Sequence, residues 1–598
     1  MISKLLSLLT RQERRRGILV LGMVVVMAAF ETAGVASVMP FLSVIGNPDL
    51  IQKNELLAFV YNGFGFASAD SFLIALGSGA FGLILFSALV RSVTLYLLNR
   101  FIETRRHTLA ERLLETYLRQ PYTFFLDRHS GDLSKSILSE VDQLIMNVVR
   151  PAIEMLAYGC VGIGILSLLF FINPIIAIVV LSAVTGFYSF IYAYVRGVLG
   201  RLGEDRVRAN RERFTAAGEA LSGIKDIKLL GREASYLDQF RGPSYRFAHS
   251  QAISQTLSEV PNFWVEAVGF GGIILLTLVL LGASGGLTAG DPGGVLGMLG
   301  LYAFAGLRLK PVGNKIYQGV AQLRFGRAAL DAVYADLSKR TTLAEIRDPE
   351  QNERLVPRHT LAFEGVHYTY PNAQENALAE IDLKIPVGSS LGLIGTTGAG
   401  KTTMVDLLLG LLRPTQGRIL VDDTPVTDSN LRAYQQCLGY VPQDIFLSDT
   451  TIAANIALGV PHHELDMAAV ERAARMAQID EFIRNDMPNG YETFVGERGI
   501  RLSGGQRQRI GIARALYHDP EVLVFDEATS ALDTATERAV MRAISGLQDT
   551  KTVILIAHRL STVRTCDQVV LLERGRVAAQ GTYSELQSGN ERFRTLAN

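Results

Sequence analysis

Cysteine is nearly missing from this 598-residue chain: Cys160, Cys437 and Cys566 stand far apart, in no CxxC or metal-ligand spacing. That excludes a disulfide framework and a cysteine-built metal site, and suits a chain whose soluble part faces a reducing compartment. An excess of one charge is also lacking, since 58 Lys and Arg balance 58 Asp and Glu. The balance leaves no electrostatic footprint for nucleic acid. Charged residues are scarce altogether, at 19% against 48% hydrophobic, with a mean hydropathy of +0.22. A wholly soluble protein seldom has this composition, and the length exceeds one compact core, so several domains are expected.

What is present begins with apolar runs. Six stretches near 17–45, 71–99, 151–172, 174–196, 258–283 and 294–318 are each long enough to cross a ~30 Å hydrocarbon layer as a helix. The first continues through Met39, Pro40 and Phe41 without a small-residue cleavage pattern, so it reads as a span rather than a removable signal. The segment ahead of it, with Lys4, Arg11, Arg14, Arg15 and Arg16, reads as a basic interfacial helix. Segments 100–150 and 197–257 are rich in Arg and Lys, whereas 46–70 has only Lys53 and 284–293 has no basic residue. By the positive-inside rule both termini are expected in the cytoplasm. Residues 100–121 and 204–240 keep helical spacing, so membrane helices are expected to continue into the cytoplasm before turning. The domain reading is 1–335 membrane domain, 336–359 charged connector and 360–598 soluble domain.

The last third carries phosphate chemistry. An apolar strand, Leu391 to Ile394, runs into Gly395, Thr396, Thr397, Gly398, Ala399, Gly400, Lys401 and Thr402, followed by Thr403 and a helix-like run to Leu412. This is the GxxxxGK[ST] loop in its strand-to-helix context, where backbone N–H groups and a helix N-terminus cradle phosphates. Lys401 is expected on the β- and γ-phosphates of ATP and Thr402 on Mg²⁺. A second apolar strand, Val522 to Phe525, ends at Asp526 and Glu527. Asp526 is read as a metal-side carboxylate and Glu527 as the general base or water-polarising group beside the attacking water. His558 follows the apolar run Val553 to Ala557.

This set resembles the ATPase of ABC exporters, and the resemblance covers nearly the whole chain. It implies a six-span α-helical transmembrane domain followed by an α/β P-loop ATPase domain. By the same resemblance Tyr370 stacks on adenine, Gln443 contacts Mg²⁺ and the attacking water, and His558 contacts the γ-phosphate. Glu497 resembles the exporter element that touches the coupling segments, and Ser530 to Asp533 resemble a loop at the dimer interface. The single pentapeptide Leu502 to Gln506 implies a homodimer, with Ser503, Gly505 and Gln506 closing over ATP held by the other chain. Gln120 to Phe125 with Ser130, Gly131 and Asp132, and Glu219 to Lys225, resemble the two coupling segments.

Three further stretches resemble the bacterial lipid-linked oligosaccharide flippases of the PglK group. They are Glu31 with Val38 to Phe41; the external segment Ile51, Asn54, Leu57, Tyr61, Asn62, Gly65 and Phe66; and Leu307, Arg308, Leu309, Pro311, Asn314, Lys315 and Ile316. One departure is Asn262 after Pro261, where that group has a basic residue. A charge inside the membrane is costly, about 2.5 kcal/mol or more, so Arg91, Arg308, Lys310 and Lys315 are expected to face a partner or a wet cavity. Counted from the outer face, Arg91 and Arg308 fall roughly 30 and 21 Å deep. Lining an inward cavity, these cations would suit a pyrophosphate headgroup; the competing reading is that Arg91, Lys310 and Lys315 snorkel to the interface or lie on cytoplasmic helix extensions. The resulting expectation is ATP-driven flipping of an anionic amphiphile, a polyprenyl-pyrophosphate oligosaccharide first, across a bacterial inner membrane. A general lipid or multidrug exporter, and an ATP-gated channel, remain open.

Overall fold

Fifty residues from Ala69 to Leu118 form one uninterrupted helix. At 1.5 Å per residue this is about 75 Å, more than twice a hydrocarbon layer, so much of it projects beyond the apolar stretch. The computed structural model describes residues 1–46, 48–126, 128, 130–172, 174–283, 292–338, 354–371, 373–526, 546, 551–557 and 560–597. The chain divides into two units, Met1–Gln120 with Asp127–Arg340, and Thr341–Asn598 with Pro121–Leu126.

The first unit is helical. Its long helices are Arg11–Gly46, Ala69–Leu118, Arg150–Ile172, Pro174–Ser222, Glu233–Ala283 and Pro292–Leu337. Each contains one of the six apolar stretches. Among the described residues, Arg11–Ile45, Ala69–Leu118 and Gly131–Ile172 are long and apolar enough to cross a membrane. Met27, Ala28 and Val35 of the first helix pack with Val161, Ile165 and Leu169 of the third and Ala305 and Val312 of the sixth. A Cβ on Gly164 would lie 2.3 Å from Thr32 Oγ1, so a missing side chain lets those two helices approach.

The basic leading segment differs from expectation. A helix spans Ile2–Leu8, and the first long helix starts at Arg11, so Arg11 to Arg16 belong to that long helix. The cause is local: Thr10 N–H donates to Glu13 Oε2 at 2.7 Å and Glu13 N–H donates to Thr10 Oγ1 at 3.3 Å, a capping box that starts a new helix. Glu13 also pairs with the buried Arg105. Between the first two long helices the chain forms Leu50–Lys53 and Glu55–Gly63. Leu57, Tyr61 and Phe66 pack on Val44, Ile51 and Phe72, while Leu56, Phe59 and Phe64 stay exposed.

Below the third long helix, Ser136–Glu140 and Ile145–Val149 are π-helical. Glu140, at the end of the first π turn, is buried and meets Arg206 Nη2 at 3.0 Å. Asn210 Nδ2 donates to Glu140 Oε1 at 2.9 Å and to Ser139 Oγ at 2.9 Å. The helical segments break at Gly223 and again at Gly231, the latter at φ 61, within and just after the second turn expected from sequence.

The second unit holds two sheets. One is antiparallel in the order β2-β1-β4-β5, with β1 Thr360–Tyr368, β2 Leu378–Pro386, β4 Gln416–Val421 and β5 Thr424–Pro425. The other runs β10-β9-β3-β8-β7-β6. Its strands are β3 Ser390–Gly395, β6 Leu438–Val441, β7 Val522–Asp526, β8 Thr552–Ile556, β9 Gln568–Glu573 and β10 Arg576–Gly581. From β6 to β9 the neighbours are parallel, and β7 and β8 are buried throughout. Apolar runs without alternation are what a sheet covered on both faces requires. Cys437 and Cys566 are buried in this unit; Cys160, in the first, is half-buried. Burial, then the charges of Glu521 and Asp567 respectively, pushes each of the two buried thiols up to about 12.

Candidate active site and charged membrane cluster

Parallel strands deliver their C-terminal ends to one edge of a sheet, where loops can build a site. β3 pairs with β8 in the register Leu393↔Ile556, β8 with β7 as Ile556↔Asp526, and β7 with β6 as Phe525↔Val441. The phosphate loop, Asp526 and the Pro442–Gln443 turn therefore leave the sheet on the same edge. Glu527 and His558 follow two of these strand ends in sequence, and both lie outside the described residues, as do Ser530 to Asp533.

In the loop, Gly398 and Gly400 take φ values of 80 and 100. A Cβ on Gly400 would meet Leu378 Cδ2 at 2.7 Å, so only glycine lets the loop turn there. Thr396, Thr397, Gly398 and Thr402 are exposed, whereas Ala399, Lys401 and Thr403 are buried. Lys401 Nζ donates to the carbonyls of Gly395 at 2.7 Å and Thr396 at 3.2 Å, which curls the ammonium back over the loop. The helix Lys401–Leu408 begins without a side-chain cap, so its first N–H groups point toward the loop mouth. Backbone donors, a helix N-terminus and an ammonium are the donor set that a polyphosphate needs. That helix is shorter than the run to Leu412 expected from sequence, because Gly410 turns at φ 65 and ends it.

Tyr370 and Thr403 share a hydrogen bond at 3.1 Å, and Tyr368 packs edge-on to Tyr370 at 5.0 Å between centroids. The aromatic expected on adenine is thus tied to the helix that follows the phosphate loop. Tyr440 Oη donates to Asp526 Oδ2 at 3.5 Å. Burial, then the Asp526 charge, pushes the Asp406 carboxyl up to about 6. Two carboxyls crowded into a buried place fit a divalent cation, for which Thr402 and Gln443 offer neutral oxygens. Asp406 and Tyr440 are absent from the sequence-derived site. The signal was faint: an acidic residue on the buried face of an otherwise apolar helix.

Ser503 caps the helix Gly504–Leu516 in a reciprocal box. Its Oγ accepts from Gln506 N–H at 3.2 Å, and Gln506 Oε1 accepts from Ser503 N–H at 2.7 Å. Gln506, a candidate nucleotide ligand by sequence, spends its carbonyl on the cap. Glu497 opens a short 3-10 turn, Glu497–Gly499, in which Arg498 has φ 53.

The profile described as ABC transporter matches residues 378–530, and that described as ABC transporter transmembrane region matches 21–294. The chain is 32% identical over 581 residues to an ATP-dependent lipid A-core flippase of Chromohalobacter salexigens, covering 95% of this chain and 93% of that one. The chain belongs to the ABC transporter family. This ABC transporter is also 32% identical over 521 residues to the mouse (Mus musculus) mitochondrial ATP-binding cassette sub-family B member 10, covering 86% and 71%. The solved structure of a bacterial Atm1-family ABC exporter with ATP bound aligns at a TM-score of 0.75 and 25% identity, covering 98% and 97%. A membrane domain fused ahead of its ATPase makes the ABC transporter an exporter-type half-transporter, whose ATP hydrolysis is coupled to transport.

In the membrane unit of this ABC transporter each expected cation has an acidic neighbour. Arg91 Nη1 lies 3.4 Å and Arg308 Nη1 3.9 Å from the same oxygen, Oε1 of the buried Glu31. Lys310 pairs with Glu266 at 2.6 Å and Lys315 with Glu154 at 2.8 Å. Sharing one carboxylate oxygen gathers the two guanidiniums, from different helices, into one cluster. Among the described residues Glu31 faces both arginines, while Glu154 faces Arg150 at 3.9 Å as well as Lys315.

Proposed function

We propose that this half-transporter is an ATP-driven flippase that moves an anionic amphiphile from the inner to the outer leaflet, with polyprenyl-pyrophosphate oligosaccharide the leading substrate class. The observation that carries this reading is the pair Arg91 and Arg308 on one buried carboxylate. Two guanidiniums so placed offer bidentate partners to a phosphate or pyrophosphate. A second reading, a lipid A-core as in the named relatives, is favoured by the sequence similarity and uses the same cations.

The chain acts as a homodimer in a bacterial inner membrane, both termini cytoplasmic, with two ATP sites shared between copies. Lys401 and the loop N–H groups hold the phosphates. Thr402, Asp526 and Gln443 would hold Mg²⁺, which would supply charge neutralisation when bound. Tyr370 holds the base. Glu527 takes the proton of the attacking water, His558 donates to the γ-phosphate, and Ser503 and Gly505 complete the site of the other copy.

The test is a vesicle assay with purified polyprenyl-pyrophosphate oligosaccharide. Protected-to-exposed movement should require ATP and vanish in Glu527→Gln, which should still bind ATP. ATP-dependent movement of a neutral amphiphile, with none of the pyrophosphate lipid, would overturn the proposal.

A further inference from the structure

Glu31 is an acidic residue in the apolar first helix, and its side chain is 7% exposed. A lone carboxylate there would be costly, and here it is offset by two guanidiniums on two other helices. The arginines themselves are not buried with it, for their side chains are 43% and 30% exposed. Arg308 also lies 5.7 Å from the centroid of the Phe304 ring, which steadies its guanidinium by cation–π attraction. The contacts at 3.4 and 3.9 Å are longer than the ~2.7–2.9 Å of a charge-assisted hydrogen bond. The carboxylate therefore balances one positive charge of two and grips neither tightly.

We infer that Glu31 is an internal counter-ion that competes with the transported anionic headgroup for Arg91 and Arg308. This rests on the reading of those two arginines as the seat of the anion. Without cargo, Glu31 keeps the two guanidiniums from being bare charges in a low-dielectric region. A phosphate arriving at the exposed faces of the arginines replaces the long contacts with bidentate ones and meets Glu31 as a like charge. The repulsion lowers affinity and favours release, as a transporter requires of a site it must empty. A neutral amphiphile displaces nothing and is unaffected by Glu31, so the residue acts on specificity as well as affinity.

The experiment measures equilibrium binding of polyprenyl pyrophosphate, and of neutral polyprenol as control, to the full-length protein in phosphatidylcholine nanodiscs. Arg91→Ala and Arg308→Ala should each weaken pyrophosphate binding about tenfold, and Glu31→Gln should tighten it about tenfold, as loss of one close charge contact implies. Polyprenol binding should not change in any of them. If both arginine variants bind pyrophosphate as the wild type does, the anion-seat reading falls and the counter-ion with it. If they weaken binding while Glu31→Gln leaves it unchanged or weaker, the seat stands and the counter-ion inference alone is overturned. Should Glu31→Gln fail to fold, Glu31→Asp decides, since its shorter arm draws the charge back: about threefold tightening supports the inference, and unchanged or weaker binding overturns it.

Discussion

Thr403 sits beside a motif threonine, yet its hydroxyl is spent on Tyr370 rather than turned to the loop mouth. Thr403→Val keeps the shape and removes that bond, worth about 1 kcal/mol, so the KM for ATP should rise about fivefold with little change in kcat. Steady-state ATPase kinetics measure both. Asp406 gives a pH signature. Its carboxyl is raised to about 6, so the folded state holds this proton more tightly than the unfolded chain does. The stability it contributes is complete below its ordinary value near 4 and is lost as pH rises through about 6. Asp406→Asn should therefore be more stable than wild type at pH 7, by on the order of 2 kcal/mol, with the gap closing toward pH 4. Thermal unfolding of the nucleotide-free transporter across that range checks it. The strand-to-helix loop carrying Lys401 and Thr402, and the strand ending at Asp526, were legible in the sequence because they rest on contiguous spacing. Asp406 and Glu31 have partners more than 50 residues away, so no local pattern announces what each of them meets.

At the scale of elements, hydropathy located the six long helices, because about 20 apolar residues in a row admit few other readings. Their ends were harder. The capping box at Thr10 and Glu13 decided where the first long helix starts, and Gly410 cut the helix after the phosphate loop short. The π turns below the third long helix left no sequence signal. Arg206 holds Glu140 in a buried pair, and Arg206 Nε and Nη1 find no hydrogen-bond partner among the described residues. Arg206→Met should strand a buried carboxylate and cost about 3 kcal/mol or more, whereas Arg206→Met with Glu140→Leu should recover most of that loss. Melting temperatures of the two variants, read beside the wild type, separate the outcomes.

For the whole molecule, one phosphate loop and one pentapeptide per chain make a sharp demand on pairing. Co-expressed Lys401→Ala and Gly505→Asp chains should each be inactive alone. Mixed pairs keep one intact loop facing one intact pentapeptide, so the co-expressed pool, about half of it mixed pairs, should regain up to about a quarter of wild-type hydrolysis. No recovery from a verified mixed pair would mean that each copy closes its own site. The cysteine content bears on how such pairing can be watched. Thiols held at about 12 carry almost no thiolate at neutral pH, and Cys437 and Cys566 are sealed in the core besides. With Cys160→Ser the chain becomes a nearly blank background for maleimide chemistry. A single cysteine introduced on an exposed face then supplies one spin label or fluorophore per copy, and the proposed dimer would turn the two labels into a distance ruler.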